Sequence, residues 1–193
     1  MSVSSQFAKT DTSQAIQLAL TNHDAWFVCQ DLAWALRYAP EPAVEEINEL
    51  IERHAMACRD EYQRSAVRAW QVRALSERGL ESQARLVVAA ALPVAALATP
   101  NSSRSEALFL LFQAAFPLGP ETTLPIATAL LDCREPRPHW RVTRNLVSAV
   151  AMLCRNWPAS VQRIRSEVTD EKLCRRIDRE AGQTSCQPRP FFW

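Results

Sequence analysis

The sequence predicts an all-α fold built as a solenoid of about four stacked helical hairpins, closed by a C-terminal capping helix. Three observations lead there. Only three glycines occur among 193 residues, and no stretch alternates polar and apolar residues as a strand would. Prolines fall between apolar-periodic segments instead of being spread through them. A nine-residue phrase returns along the chain at intervals of about 34–41 residues, the period of a repeated two-helix unit.

Helices are predicted at 12–21, 24–39, 42–58, 61–78, 80–98, 103–116, 121–133, 139–157 and 159–181. Their limits have chemical causes. Asp24 is placed to cap the second helix, and Pro40 and Pro42 separate it from the third. Gly79 suits a helix C-terminus; Pro117, Gly119 and Pro120 form another stop, and Pro136, Pro138 and Pro158 continue the punctuation. Residues 1–11 read as a polar N-terminal tail, 12–182 as one domain and 183–193 as an extended aromatic tail.

The recurring phrases are VCQDLAWAL from Val28, YQRSAVRAW from Tyr62, SRSEALFLL from Ser103 and VTRNLVSAV from Val142. Positions one, five, eight and nine are mainly apolar or small, the stripe that turns one helix face toward a neighbour. For the second phrase a rival register, VRAWQVRAL from Val67, places Gln71 in the core and exposes Trp70. The register from Tyr62 buries Trp70 and is preferred.

The phrases, the hairpin unit and the spacing resemble HEAT repeats, relatives of armadillo repeats, whose second helix reads as a Val-Arg-x-x-Ala-Ala-x-Ala-Leu string. The fullest unit is PETTLPIATALLDCREPRPHWRVTRNLVSAVAML, with Asp132 ending its first helix and Val142 opening its second phrase. Pro93 is similar to the proline that kinks the first helix in that family. The phrase arginine survives as Arg104, with Cys29, Gln63 and Thr143 in its place elsewhere. The resemblance spans roughly residues 12–181 and implies a right-handed solenoid whose second helices line a concave groove. Position three of the phrases then gives the groove row Gln30, Arg64, Ser105 and Arg144, and position seven gives Trp34, Arg68, Phe109 and Ser148.

Charge adds to this reading. The net charge of +1 gives no global bias toward nucleic acid or anionic membranes. Residues 136–166 nevertheless contain no Asp or Glu and six arginines: Arg137, Arg141, Arg144, Arg155, Arg163 and Arg165. On a helix over 139–157, Arg141, Arg144, Ser148 and Arg155 fall within about 60° of one another and form a basic face. The acidic run of Glu41, Glu45, Glu46, Glu49 and Glu52 meets no basic partner on its own helix and reads as a solvated outer face. EALFLLFQAAF, with Phe109, Phe112 and Phe116, is apolar nearly all round and belongs at the centre of the molecule.

Catalytic motifs are missing from the sequence. It contains no GxSxG, GxxxxGK or GxGxxG string. His54 and Cys58 lie one helical turn apart but lack two further ligands for a structural metal site. His23 reads as a turn residue and His139 as a helix start. No cofactor and no metal are expected. Cys29, Cys58, Cys133, Cys154, Cys174 and Cys186 form no CxxC pair and read as buried free thiols. Without an apolar run long enough to span a bilayer or an export signal at the start, a cytoplasmic location is expected.

The function that follows is a non-catalytic, bacterial-type adaptor, chaperone or inhibitory, immunity-type partner binding an acidic or amphipathic protein segment in the groove. The alternative is a HEAT-like nucleic-acid binder or an enzyme similar to the alkylpurine DNA glycosylases, for which Asp31 and Trp34 would be the candidate residues. The ending CQPRPFFW holds Phe191, Phe192 and Trp193 extended behind Pro188 and Pro190. These aromatics either cap the last repeat or dock into another protein or a second copy.

Overall fold

Four aspartates start four of the helices, each accepting a hydrogen bond from a backbone N–H of the first turn. Asp11 bonds Gln14 N at 2.9 Å, Asp24 bonds Trp26 N at 2.9 Å, Asp60 bonds Gln63 N at 2.8 Å and Asp170 bonds Leu173 N at 2.9 Å. Each such cap stabilises its helix by about 1 kcal/mol. In the computed structural model, which describes residues 3–135, 138–183 and 187–192, the chain forms eleven α-helices and no strand among those residues. They are α1 (Val3–Phe7), α2 (Thr12–Leu20), α3 (Ala25–Tyr38), α4 (Val44–Ala57), α5 (Glu61–Glu77), α6 (Glu81–Leu97), α7 (Asn101–Ala115), α8 (Pro120–Leu131), α9 (Trp140–Asn156), α10 (Gln162–Glu167) and α11 (Glu171–Ala181).

Gly79 follows the end of α5 at φ +74°, the left-handed geometry that terminates a helix without a Cβ clash. Pro93 lies inside α6 and Pro125 inside α8. Each proline frees the carbonyl four residues before it, and those residues, Ala89 and Glu121, are exposed, so water can take the lost bond.

The helices form two layers. α3, α5, α7, α9 and α11 are neighbours in series, while α4 packs on α3 and α5, α6 on α5 and α7, and α8 on α7 and α9. α2 and α1 cover the α3 end. One continuous core runs through these contacts, from Leu32 and Leu36 on α3, through Ile47 and Ile51 on α4 and Leu75 on α5, to Leu108, Leu111 and Phe112 on α7 and Leu146 and Met152 on α9. α7 is central: it touches α5, α6, α8 and α9, and nearly every side chain from Ala107 to Ala115 is buried. Its nearly all-round apolar composition is thereby explained.

The structure corrects the sequence reading at four places. Gln71 is 1% exposed, whereas Trp70 is only half-buried, so the α5 register is the one that starts at Val67. Five residues along a helix turn its face by about 140°, which is why the register from Tyr62 points the wrong side inward. From Val67 the phrases recur at intervals of about 36–39 residues, more evenly than before. Arg68 then joins Arg104 at the second phrase position.

Residues 3–7, read as polar tail, form α1; Ser4 Oγ donates to Ala15 O at 2.9 Å, which ties it to α2. The helix read over 159–181 is two, α10 and α11, because Val168 turns extended and Asp170 starts a new cap. Phe191 and Phe192, read as a possible cap on the last repeat, instead meet Trp70 and Trp34. α11 already buries Leu173 and Ile177 and turns charged residues outward, so its outer face needs no cover.

Phe112→Ala should cost about 3–5 kcal/mol, because the fully buried ring leaves a cavity between helices that cannot collapse. Leu86→Ala, at a side chain 72% exposed, should stay within about 0.5 kcal/mol. Urea denaturation of both variants checks the contrast.

Candidate functional site: an aromatic face on α3 and α5

On α3, Trp26, Gln30, Trp34 and Arg37 fall within about 80° of arc, opposite the buried stripe of Val28, Leu32 and Leu36. On α5, Tyr62, Trp70, Arg73 and Glu77 share a corresponding face. Neighbouring packing of the two helices merges these faces. Trp26 stacks on Tyr62 with ring centroids 6.1 Å apart and meets Trp70 edge-on at 5.9 Å. Arg37 Nε donates to Glu77 Oε2 at 2.7 Å, and Arg73 Nε to Glu77 Oε1 at 2.7 Å, so one carboxylate holds two arginines along the rim. The result is an aromatic surface with its local charges internally paired.

The chain's own ending lies on this surface. Phe191 is 4% exposed and meets Trp70 edge-on at 5.3 Å. Phe192 meets Trp34 edge-on at 5.0 Å, and the Arg37 guanidinium lies 4.3 Å from the Phe192 ring centre and 5.0 Å from that of Trp34. Edge-to-face pairs of this kind contribute about 0.5–1.5 kcal/mol beyond area burial, and a cation over a ring about 0.5–1 kcal/mol at an exposed site. Burial of Tyr62, with Glu106 adding to it, pushes the phenol pKa up against the opposing charge of Arg189. Pro188 and Pro190 keep the segment extended. Pro136, Arg137, Cys186 and Trp193 lie outside the described residues.

The residues singled out from sequence divide into groups. Gln30 and Trp34 lie on the aromatic face of α3. Phe109 is half-buried on α7 and stacks on Phe112 at 6.3 Å. Arg141, Arg144 and Arg155 are exposed on α9. Arg141 lies 5.5 Å from the Trp140 ring, and Arg144 pairs with Glu106 at 2.6 Å. Arg155 donates to the carbonyl of Gln183, and half-buried Ser148 donates to Glu180.

Arg64 turns back to donate to Cys58 O at 3.1 Å, which caps the end of α4. Arg68 and Ser105 are not surface residues. Arg68 is 5% exposed and donates to Glu52 Oε2 at 2.5 Å, between α4 and α5. Glu52 therefore has a basic partner after all, supplied by the next helix. Ser105 is fully buried and accepts from Asn145 Nδ2 at 3.1 Å, joining α7 to α9. Both corrections follow from the same phase error on α5 and from the all-round burial of α7. Sequence reasoning missed Trp26, Arg37, Tyr62 and Trp70 as site residues. The signal was present in the four- and eight-residue spacings Trp26–Gln30–Trp34 and Tyr62–Trp70, which place aromatics on one helix face.

Three arginines of the basic block at residues 136–166 have carboxylate partners in three dimensions. Besides Arg144, Arg165 pairs with Asp178 at 2.7 Å and Arg163 lies 3.6 Å from Glu167. A separate open depression lies beside the α2–α3 and α4–α5 turns, lined in part by His23, Asp24, His54 and Cys58. Burial, and then Arg53, lowers the His54 pKa. Among the described residues no three or more His, Cys, Asp or Glu side chains are arranged to hold a metal ion. Cys29, Cys58 and Cys133 are buried free thiols, and Cys154 and Cys174 are half-buried free thiols. No described helix is long and apolar enough to cross a membrane.

No family model, curated protein or solved structure matches the chain.

Arg37→Ala should release the aromatic segment without disturbing the helices, since it removes the cation from Phe192 and one partner of Glu77. Chymotryptic cleavage after Phe191 should become about five- to tenfold faster, corresponding to about 1 kcal/mol of lost docking, with the far-ultraviolet circular dichroism unchanged.

Proposed function

We propose that the chain is a non-catalytic, HEAT-like α-solenoid that binds a protein partner on the faces of its inner helices, in the manner of an adaptor, chaperone or inhibitory protein. The observation that carries this reading is the aromatic face of α3 and α5, which takes up an extended aromatic segment in place of a packed helix. Exposed or half-exposed Trp, Tyr and Arg side chains around one patch are the residue types that dominate binding energy at protein interfaces. The series of neighbouring inner helices and the recurrence of the phrase along them support the solenoid arrangement.

On this reading Trp34, Trp70 and Arg37 form the centre of the interface, with Arg141, Arg144 and Arg155 on the α9 side. The arginines favour an acidic or amphipathic partner, but most already have internal partners and their contribution is correspondingly smaller. A nucleic-acid partner would need several free cations to neutralise phosphates along the groove. The pairing of Arg144, Arg163 and Arg165 leaves that alternative without a favouring observation.

The test is co-purification of a stoichiometric partner, followed by affinity measurement on purified components. Trp34→Ala combined with Trp70→Ala should weaken binding by at least about 30-fold, equivalent to about 2 kcal/mol, while helical content stays unchanged. Equal affinity in that double variant moves the site elsewhere. Tight duplex DNA binding with a steep salt dependence would replace the protein-binding reading altogether.

A further inference from the structure

Between Gln187 and Phe192 only one side chain, that of Phe191, is buried, with Pro188 and Phe192 half-buried. Among the described residues no backbone hydrogen bond joins this segment to the helices beneath it. Phe191 joins the edge of the main core with Phe192 packed beside it, and the specific contacts are two rings on two tryptophans and one guanidinium. Such attachment is unlike that of a structural strap, which would bury a run of side chains or satisfy its backbone on the body of the protein. It is like that of a short bound peptide, in which aromatic anchors supply most of the affinity.

The geometry of the tether fits the same picture. Gln183 is fastened to α9 through Arg155, which also reaches Ala181 O at 3.5 Å. From α9 to α5 is two helix spacings, about 16–20 Å at the usual interaxial distance. Eight residues separate Gln183 from Phe191, and a chain of that length reaches at most about 26 Å. A ligand carried on the same chain within reach of its site competes at an effective concentration on the order of millimolar.

We propose that residues 187–192 are a tethered ligand occupying the protein's own binding face, and that the partner segment displacing them has the same chemistry: an extended peptide carrying two adjacent aromatic residues behind a proline. This rests on the protein-binding reading above and adds the ligand class and its regulation. Phe191 marks the deep subsite against Trp70, and Phe192 marks a shallower subsite between Trp34 and Arg37. A partner must outcompete the tether, so its affinity for the full chain is lower than for the bare face. Anything that pulls the ending away opens the site.

The experiment uses a blocked, fluorescein-labelled peptide of residues 187–192 and follows its anisotropy. Four proteins are compared: the full chain, the chain ending at residue 186, the full chain with Phe191→Ala and Phe192→Ala, and the truncated chain with Trp34→Ala and Trp70→Ala. The expected result is saturable binding to the truncated chain and to the Phe191→Ala/Phe192→Ala chain. Binding to the full chain should be about 10–100-fold weaker, the competition expected from a millimolar tether against an intrinsic affinity of about 10–100 μM. Binding should be lost in the tryptophan variant. The phenylalanine variant keeps the test valid if truncation impairs folding.

Equal binding to the full and truncated chains overturns the competition. So does a concentration-dependent dimer of the full chain that truncation abolishes, since the ending would then serve a second copy. No binding to either opened protein, together with a clear fall in their melting temperatures, makes the segment part of the fold and overturns the inference. The function proposed above would fail separately, by equal partner affinity in the full chain with and without Trp34 and Trp70.

Discussion

α5 is packed against α3, α4, α6 and α7, and the rest of the structure is arranged around the need to satisfy what this helix buries. It is not an apolar helix: Ser65, Arg68 and Gln71 all fall inside. A buried polar group without a partner costs about 1–3 kcal/mol, and more when charged, so neighbours must supply one. α4 supplies part of this, with Glu52 for Arg68 Nη2 and Asn48 for Gln71 Nε2 at 3.1 Å; Ser65 donates to carbonyls of α5 itself, and Arg68 Nε and Gln71 Oε1 have no partner among the described residues. Arg78, just past the end of α5, donates to the carbonyls of Leu36 at 2.9 Å and Ala39 at 2.5 Å and so ties the end of α3 to α5. With α5 locked in rotation, Trp70 has one direction left to point, toward Trp26 and Phe191.

The same logic disposes of the charges. A near-neutral protein with a local arginine block could have carried an open basic surface. Instead the acids that balance the block come from other helices: Glu106 from α7 for Arg144, and Asp178 from α11 for Arg165. Exposed ion pairs of this kind add little stability, about 0–1 kcal/mol each, but they reduce the free positive potential around α9 and α10. Aromatic area then stands out as the feature of that surface suited to recognition, and its strongest concentration is at the α3–α5 end.

An aromatic face of this size must be covered, because contiguous exposed rings invite unspecific association. Covering it with a core helix would make it permanent structure. The chain covers it with residues 187–192, which touch it through two phenylalanines. Under the proposed function, cover and competitor are then the same few residues.

Much of the local architecture was legible from the sequence. Helical periodicity, the Asp24 cap, the stop at Gly79 and the prolines between segments are short-range effects, and the helices appear within a few residues of where these signals place them, apart from the extra α1 and the break at Val168. The apolar surface of α7 announced its central position. What only the tertiary structure decided was rotation and partnership. Gln71 and Trp70 are adjacent, and local pattern favours burying the tryptophan; Asn48, on another helix, makes burial of the glutamine affordable. Arg68 reads as a groove cation until Glu52 is brought against it, and the Phe191–Phe192 pair reads as a cap or a docking peptide until Trp70 and Trp34 are seen beneath it. A side chain's pattern in sequence tells which face of its own helix it occupies, but the energy of a buried polar group or an exposed ring is set by atoms far away along the chain.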